Sequence, residues 1–586
     1  MRYNRLTAQI IKSSIKKRIY ELRRRKNNAA NDILDQLEDK LIKSIDHKQL
    51  DASGPTKDPR VSPKNVDPNT NEALIDEIAA TIAEGFDAPC VARCEAVNGY
   101  LNIFLDDEAL AKKVVAEVLA KGEKYGAPTE LGQGKTVVLD YSSPNVAKPF
   151  HIGHLGTTVI GHSLKKLHEF AGFKCVGINY LGDWGTQFGK LITAYRLWGS
   201  REQIEAGGVD ALVELYVRIN NAIAEDATLA DKSREEFRKL EQGDEENLAL
   251  WKWFIEISLE EYQKTYAQLD ITFDSYKGES FYTDKMPAQV QKLRDMGLMK
   301  IDDGASIVDL EEYGMPPCLI LKRDGSTLYP TRDIAAAVYR KQTYDFDKAI
   351  YVTSAGQSLH FAQWFKVVEL MGYGWADKLV HVPYGTVSIN GEKLATRTGN
   401  VILLRDLFAS AIEKVAGIME EKNPNLANKE KIAEQIGVGA VVFYYLSNNR
   451  IRDINFVMED ALSFEGNTGP YVQYTYARTC SVLAKSENYD RNADLTITAP
   501  EEAELVKVLS RFEEHVRDAI DTYEPMVITR YILDVAGAYN RFYHNCSILG
   551  ADNEQIKNTR LKLTEAAKTV LGNAFGLICL AKTEKV

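Results

Sequence analysis

Hydrophobic and polar positions change their period several times along the chain, and these changes mark its organisation. The run Tyr-Leu-Asn-Ile-Phe-Leu at residues 100–105 alternates as a half-buried strand does, and residues 107–121 follow at helical spacing. A glycine-rich stretch at 122–134 then breaks the pattern. We therefore predict a first, α+β domain over residues 1–125.

A second domain opens with a strand, a polar loop and a helix. Residues 136–141 form an apolar run, and from about 153 to 171 the apolar residues share one face of a helix. A mostly helical segment at about 196–310 intervenes before short apolar runs resume. Alternating strands and helices are typical of a doubly wound sheet. The pattern thus predicts a multidomain α/β protein with a Rossmann-like parallel-sheet domain over 126–430, interrupted by a helical insertion at 196–310.

The two ends of the chain are predicted to be helical. From 431 to 586 the pattern contains no further strand run, so we expect an all-α third domain. Residues 2–26 carry ten Lys or Arg against the single acid Glu21, with apolar residues at near-helical spacing. This basic helix fits a contact for nucleic-acid phosphates or a solvated face of a folded domain. A cleaved organelle presequence is a third interpretation, which the further helical pattern at 32–45 weakens.

Composition narrows the class of protein. The chain has 586 residues, 45% hydrophobic and 26% charged, without an apolar stretch long enough to span a bilayer, so we expect several domains and no membrane insertion. The net charge of −11 argues against nonspecific coating of nucleic acid but allows a local basic groove. Seven scattered cysteines, of which only Cys90 and Cys94 lie close together, favour reduced thiols, a cytoplasmic location and no structural metal.

The strongest chemical signal lies at 142–154, which reads Ser-Ser-Pro-Asn-Val-Ala-Lys-Pro-Phe-His-Ile-Gly-His. His151 and His154 are three apart at a predicted helix start, so both rings face one side, where backbone N–H groups and the helix dipole favour phosphate. Gly153 removes a side chain where a nucleotide must approach closely. An isolated His-x-x-His pair would more simply be a cap or a surface feature. The preceding strand, the polar loop and the glycine favour a phosphate site instead.

This segment resembles the His-Ile-Gly-His signature of class I aminoacyl-tRNA synthetases. The run Ser-Pro-Asn-Val-Ala-Lys-Pro at 143–149 resembles the arginine-specific family in particular. Residues 392–400, Glu-Lys-Leu-Ala-Thr-Arg-Thr-Gly-Asn, resemble a degenerate form of the Lys-Met-Ser-Lys-Ser loop, for which that family implies compensation by Lys148. Further stretches at 182–189, 327–333, 461–478 and 98–102 are similar to family segments. The resemblance covers roughly residues 98–575.

The resemblance implies roles for particular residues. The implied catalytic residues are His151, His154, Lys148, Lys393 and Arg397. The implied arginine-binding residues are Ser143, Pro144, Asn145, His154, Tyr329, Asp333, Gln357 and Asp140, which stands where the family often has Glu. The implied ATP-binding residues are His151, Gly153, His154, Leu394 and Thr396. The implied tRNA-binding residues are Asn98, Tyr100, Asn102, Tyr471, Gln473, Tyr474 and Arg478. Acceptor-only carboxylates beside an aromatic ring suit a planar guanidinium, and exposed aromatics suit splayed anticodon bases.

The activity implied is ATP-dependent formation of arginyl-adenylate and transfer of arginine to the terminal adenosine of tRNA(Arg), with AMP and pyrophosphate released. Mg²⁺ would enter with ATP, and tRNA would bind before activation. We also expect the protein to be a monomer.

A nucleotidyltransferase of the same fold would lack the helical segment 431–586. A noncatalytic RNA-binding relative would have lost a catalytic residue. Specificity for glutamate, glutamine or cysteine is disfavoured by the runs at 143–149 and 329–333.

Overall fold

The computed structural model describes residues 79–80, 82–84, 86, 90–97, 100–148, 150–393, 402–486 and 489–586. The predicted basic helix at 2–26 and Asn98 lie outside the described residues, and so do the side chains of Tyr100 and Lys393.

Strands and helices are numbered separately along the described chain. The strands are β1 (Val91–Val97), β2 (Tyr100–Leu105), β3 (Thr136–Asp140), β4 (Lys174–Ile178), β5 (Met299–Asp302), β6 (Ala305–Val308), β7 (Cys318–Leu321), β8 (Lys348–Ser354), β9 (Leu379–Tyr384), β10 (Val387–Ile389), β11 (Glu392–Lys393) and β12 (Ile454–Phe456). The helices are α1 (Asp107–Lys121), α2 (Leu155–Phe170), α3 (Thr186–Trp198), α4 (Arg201–Glu225), α5 (Thr228–Glu241), α6 (Glu245–Gln268), α7 (Met286–Asp295), α8 (Tyr329–Tyr344), α9 (Ser358–Leu370), α10 (Leu404–Lys422), α11 (Lys429–Leu446), α12 (Met458–Ala461), α13 (Gly469–Ala484), α14 (Pro500–Leu509), α15 (Phe512–Thr522), α16 (Met526–Asn545) and α17 (Glu554–Leu577).

A four-stranded parallel sheet of order β4-β3-β8-β9 forms the centre of the second domain. Its strands are short and apolar because helices cover both faces, and β3 is buried from Val137 to Asp140. The order reverses between β3 and β8, since β4 and β9 lie on opposite sides of that pair. The carboxyl ends of two such strands form a crevice in which α/β proteins bind ligands. The predicted Rossmann-like sheet is confirmed, and we expect the ligand-binding site in this crevice.

The insertion is helical for most of its length. Helices α3 to α6 pack on one another around buried Phe188, Leu212, Leu215 and Phe254. The segment 196–310 is mostly helical, as predicted, but its last residues are not, because β5 and β6 form an antiparallel sheet with β7. Two tight antiparallel strands of four residues each offer too short a pattern to distinguish from a helix end.

The C-terminal domain is a bundle of helices, α11 and α13 to α17, with one exception to the prediction. Residues 454–456 form β12, which pairs in parallel with β10, so the expected absence of strands after 430 is wrong. Ile454 and Phe456 are buried while Asn455 is exposed, which is a strand pattern too short to recognise alone.

The described part of the N-terminal domain is the hairpin β1–β2 followed by α1. Asp106 caps α1, since its side chain accepts a hydrogen bond from the backbone N–H of Ala109. The buried face of α1 packs against α14 and α17 of the C-terminal bundle. No helix among the described residues is long and apolar enough to cross a membrane.

Candidate active site

The signature histidines stand between the loop that follows β3 and helix α2. His151 caps a single 3-10 turn, Ile152–His154, which runs directly into α2. The backbone N–H of Gly153 donates to Nδ1 of His151 at 3.1 Å, and the backbone N–H of His151 donates to Nδ1 of His154 at 3.2 Å. The ring centroids are 4.0 Å apart. The sequence thus folds both imidazoles onto one side of the helix start.

These hydrogen bonds determine what the rings can do. Because each Nδ1 accepts a hydrogen bond from the backbone, the proton of each neutral imidazole resides on Nε2. Burial, together with the charges of His151 and Lys148, lowers the pKa of His154 to about 3, and burial also lowers the pKa of His151. Both rings are therefore uncharged near pH 7. They offer Nε2–H groups as fixed donors, as an oxyanion or phosphate oxygen requires.

Gly153 has a local reason to be glycine. A Cβ atom built on it would lie 2.8 Å from Cε1 of His151, so any side chain would push the His151 ring out of its place. The sequence prediction assigned Gly153 to close approach of a nucleotide. The geometry shows that it also keeps the histidine pair folded.

The loop before the histidines has a strained backbone. Ser142 (φ 70°) and Ser143 (φ 48°) lie in the left-handed region, where residues with a side chain cost about 1–3 kcal/mol each. The loop is held from several sides: the backbone N–H of Ser142 donates to Thr157 Oγ1 at 3.0 Å, and that of Ser143 donates to Asn179 Oδ1 at 3.1 Å. Such strain persists where a surrounding structure fixes a functional loop.

Backbone hydrogen bonds join this loop to residues 182–189, one of the stretches that resemble the synthetase family. The backbone N–H of Val146 donates to Gly182 O at 3.2 Å, and that of Gly182 donates to Pro144 O at 3.1 Å. A Cβ atom on Gly182 would lie 2.1 Å from Asn145 Oδ1, so a side chain at this position would displace the side chain of Asn145. Pro144 is buried and Asn145 is exposed at the sheet edge.

Asp140 is buried and already has partners inside the protein. Its side chain is 6% exposed, Arg340 Nη1 lies 2.8 Å from its Oδ2, and Ser143 Oγ donates to its Oδ1 at 2.9 Å. Each oxygen thus has an internal partner, and the contact of Asp140 with a substrate guanidinium stays a prediction. Ser143 Oγ is also occupied, because it accepts from the backbone N–H of Tyr180 at 3.1 Å.

The other predicted pocket residues lie at the N-terminal ends of helices α8 and α9. Tyr329 and Asp333 lie in the first turns of α8, and Tyr329 is 66% exposed. Gln357 follows the end of β8 and is exposed. Nε2–H of His360 donates to Oδ2 of Asp333 at 2.6 Å. Asp333 is close enough to Asp140 to raise the pKa of that carboxyl, although burial of Asp140 contributes most.

A second carboxylate was missed. Glu279 is within electrostatic reach of Asp333. Burial, and to a smaller extent the charge of Asp333, raise the pKa of Glu279 to about 7, while the charge of Arg332 opposes the rise. Arg332 Nη1 lies 2.6 Å from Glu279 Oε2. The turn is held because the backbone N–H of Glu279 donates to Leu181 O at 3.0 Å. No motif marks Glu279 in the sequence. The only available signal was the need for a second acid beside Asp333.

The second signature loop lies largely outside the described residues. Lys393 ends β11, and Leu394, Thr396 and Arg397 fall in the segment 394–401. The chain re-enters the described structure beside the histidines, since the backbone N–H of Ile152 donates to Ile402 O at 3.1 Å. The ATP-binding and catalytic roles assigned to Lys393, Leu394, Thr396 and Arg397 stay predictions. Lys148 is exposed.

Exposed aromatic residues of the bundle surround one arginine. The Arg478 guanidinium lies 5.0 Å from the ring centroid of Tyr474 and 4.8 Å from that of Tyr543, and it also contacts Asn540. Asn540 in turn donates to Tyr471 Oη at 2.9 Å. We call Tyr471, Tyr474, Arg478, Asn540 and Tyr543 the α13–α16 cluster.

Gln473 is not part of this surface. It is fully buried, and its Nε2 donates to the carbonyl oxygens of Gln435 at 3.3 Å and Ala581 at 3.2 Å. The predicted tRNA contact of Gln473 is wrong for that reason. Of the N-terminal residues, Tyr100 and Asn102 lie in β2, with the side chain of Asn102 exposed.

Comparison with known proteins agrees with this geometry. The family model described as tRNA synthetases class I (R), catalytic domain, matches residues 114–458, and the DALR anticodon binding domain matches 472–586. An arginine–tRNA ligase of Alkaliphilus metalliredigens is 50% identical over 83% of this chain and 86% of its own length. One of Clostridium botulinum is 48% identical over 87% and 90%, respectively. The solved Thermus thermophilus arginyl-tRNA synthetase shares the fold, with a TM-score of 0.76, 24% identity and coverage of 87% of this chain and 92% of that one.

A parallel sheet with a His-Ile-Gly-His turn at its carboxyl edge, matched over most of its length by a catalytic-domain family, defines a class I aminoacyl-tRNA synthetase. Within that class, the chain belongs to the arginine–tRNA ligase family. The predicted family and fold class are confirmed.

Proposed function

We propose that this chain activates L-arginine with ATP and transfers it to tRNA(Arg). The observation that carries the proposal is the pair of Nε2–H donors on neutral His151 and His154, located at the same sheet edge as the acidic pair Glu279 and Asp333. One set suits phosphate and the other suits a cationic side chain.

In the first step an oxygen of the arginine carboxylate attacks the α-phosphorus of ATP, and the bond to the pyrophosphate oxygen breaks. Charge builds on the α-phosphate oxygens, where the two imidazole donors and the Lys148 ammonium stabilise it. Mg²⁺ enters as part of the ATP substrate. In the second step a hydroxyl of the terminal adenosine of tRNA attacks the arginyl carbonyl, and AMP leaves.

Arginine is recognised by its guanidinium. Oδ2 of Asp333 and Oε2 of Glu279 already have partners, and we propose that Oδ1 and Oε1 accept from the substrate. Two separate carboxylates, each with one oxygen available, suit the N–H groups on different edges of a planar guanidinium. Tyr329 offers a ring for stacking, and Gln357 and Asn145 are polar groups for the amino-acid end.

The tRNA is proposed to contact two regions, the β2 surface with Asn102 and the α13–α16 cluster. Exposed rings bind unstacked bases, and Arg478 supplies both charge and a planar face. We propose a cytoplasmic location, because the seven cysteines are all free thiols, as a reducing compartment maintains them. The expected monomer stays a prediction.

Pyrophosphate exchange with each amino acid, with and without tRNA, tests the proposal. Only arginine should support exchange, and the exchange should need tRNA. Asp333→Asn and Glu279→Gln should each raise the arginine KM and lower kcat/KM by about tenfold or more, with the ATP KM changed little, because a buried cation loses an acceptor. Exchange with another amino acid, or a defect confined to ATP, would contradict it.

A further inference from the structure

We infer that His360 is a positioning residue that fixes the Asp333 carboxylate for the substrate guanidinium. This inference rests on the proposed role of Asp333, and it adds a residue that the sequence motifs did not point to. His360 has no other part in the mechanism described above.

The hydrogen bond between His360 and Asp333 links the N-terminal ends of helices α8 and α9. Asp333 lies in the second turn of α8, and His360 lies in the first turn of α9, three residues after Gln357. Nε2–H of His360 donates to Oδ2 at 2.6 Å, a short distance that is typical of a charge-assisted hydrogen bond. The side chains of His360 and Asp333 are 29% and 20% exposed, so water competes weakly for this bond.

The bond decides which oxygen the substrate meets. An aspartate side chain turns about two torsions, and without a partner its carboxylate would sample several orientations. With Oδ2 held, Oδ1 has a defined direction, and among the described residues it has no hydrogen-bond partner of its own. Glu279 is held in a similar way, because Arg332 donates a hydrogen bond to its Oε2 and not to its Oε1. Each acid is thus oriented by an internal donor.

The histidine ring is itself held in place. It packs edge-on against Phe361 with ring centroids 5.5 Å apart, and Phe361 stacks on His381 with centroids 4.4 Å apart. His381 is fixed in turn by Thr353 Oγ1 at 2.8 Å. A donor anchored in this way holds an acceptor better than a long flexible side chain would, which costs less conformational entropy when arginine binds.

The test separates positioning from a structural link between α8 and α9. His360→Phe keeps the ring and removes the donor, while His360→Gln keeps a donor near the position of Nε2. We expect His360→Phe to raise the arginine KM about ten- to a hundredfold with the ATP KM within about twofold, and His360→Gln to recover most of the loss. Gln363→Leu, on the same helix but bonded to Pro316 O and Pro317 O, serves as the control and should leave both KM values unchanged.

The double variant His360→Phe/Asp333→Asn completes the design. If His360 acts through Asp333, the double variant is no worse for arginine than Asp333→Asn alone. If Asp333→Asn raises the arginine KM but His360→Phe does not, the inference is overturned and the proposed pocket stands. If His360→Phe raises both KM values and His360→Gln recovers neither, the link is structural and the inference is also overturned. If Asp333→Asn leaves the arginine KM unchanged, the proposed function of Asp333 fails first.

Discussion

The backbone around His151 and His154 determines their tautomer, and this suits both rings to the proposed role of neutral donors. Their chemistry therefore depends on a glycine and a 3-10 turn as much as on the imidazoles. A histidine at the start of a helix would ordinarily be read as a cation that binds phosphate by charge. Here burial lowers the pKa of His154 to about 3, so the interaction is directional and does not rely on net charge.

His154→Ala should lower the rate of adenylate formation by about 10²- to 10³-fold, the usual effect of removing one donor from a developing oxyanion. The affinity for tRNA should stay nearly constant, because the α13–α16 cluster is on another domain. Single-turnover kinetics measure the first quantity and equilibrium binding the second. A near-normal rate would remove His154 from the phosphate site.

Lys148→Ala should reduce activation as severely as Lys393→Gln combined with Arg397→Gln. Lys148 is exposed, and its charge lowers the pKa of both histidines, so its ammonium is within electrostatic reach of them. The degenerate loop supplies too little fixed positive charge by itself. Pyrophosphate exchange by the two variants provides the comparison, and a dispensable Lys148 would end the idea of compensation.

At this scale the sequence predicted residue types better than residue environments. The histidines and Asp333 stand in motifs that could be recognised. Burial of Asp140 against Arg340, and of Gln473 between Gln435 and Ala581, depends on partners distant in the chain, which no local pattern contains. Glu279 was missed because its position comes from Leu181 and Asp183 holding a turn in the insertion.

Among the elements, helices α13 and α16 form the surface with the clearest ligand chemistry. They cross so that Tyr471 and Tyr474 of one helix and Asn540 and Tyr543 of the other surround Arg478. The tyrosine-rich pattern of the sequence allowed either a core or a surface. The structure contains both kinds of tyrosine, because Tyr476 is buried and Tyr474 is 43% exposed.

Arg478→Gln should weaken tRNA binding by about tenfold and reduce its dependence on salt, because a stacked cation is lost from a nucleic-acid contact. The affinity for ATP should not change. Arg491→Gln is a matched control, since Arg491 is an exposed arginine of the same domain that pairs with Glu565 at 2.7 Å. Equal losses from both variants would show a general charge effect and contradict a specific role.

Elements with a clear run of apolar or alternating residues were predicted well, and several of the shortest ones were not. Strand β2, strand β3 and helix α1 follow the sequence pattern closely. Strands β5, β6 and β12 have only three or four residues, and their pairing comes from neighbours rather than from alternation. Tertiary context determines elements of that length.

For the whole molecule, buried histidines link stability to pH. Burial lowers the pKa of His162 to about 3 and of His168 to about 4, so both stay neutral in the folded protein. The unfolded chain takes up a proton at each as pH falls below about 6.5, which favours unfolding. Their contribution to stability is therefore complete above that pH and is lost as pH falls toward 4.

Between pH 7 and pH 5 the free energy of unfolding should fall by about 2 kcal/mol for each of these histidines. Glu279, whose pKa is raised to about 7, acts in the opposite direction and offsets part of the loss. Urea unfolding at the two pH values measures the difference, and His168→Gln should make it smaller. An unchanged difference in that variant would contradict the assignment.

The short pairing of β12 with β10 also determines where the molecule can be cut. A fragment ending at residue 430 would leave β10 as an open edge, with β11 on one side and unpaired backbone on the other, a surface that promotes self-association. A fragment ending after α12 would keep β12 in place, in agreement with a catalytic-domain match that extends to 458. Any attempt to express the catalytic half by itself, or to rejoin two halves as a split enzyme, should therefore leave the first strand of the bundle with the sheet it completes.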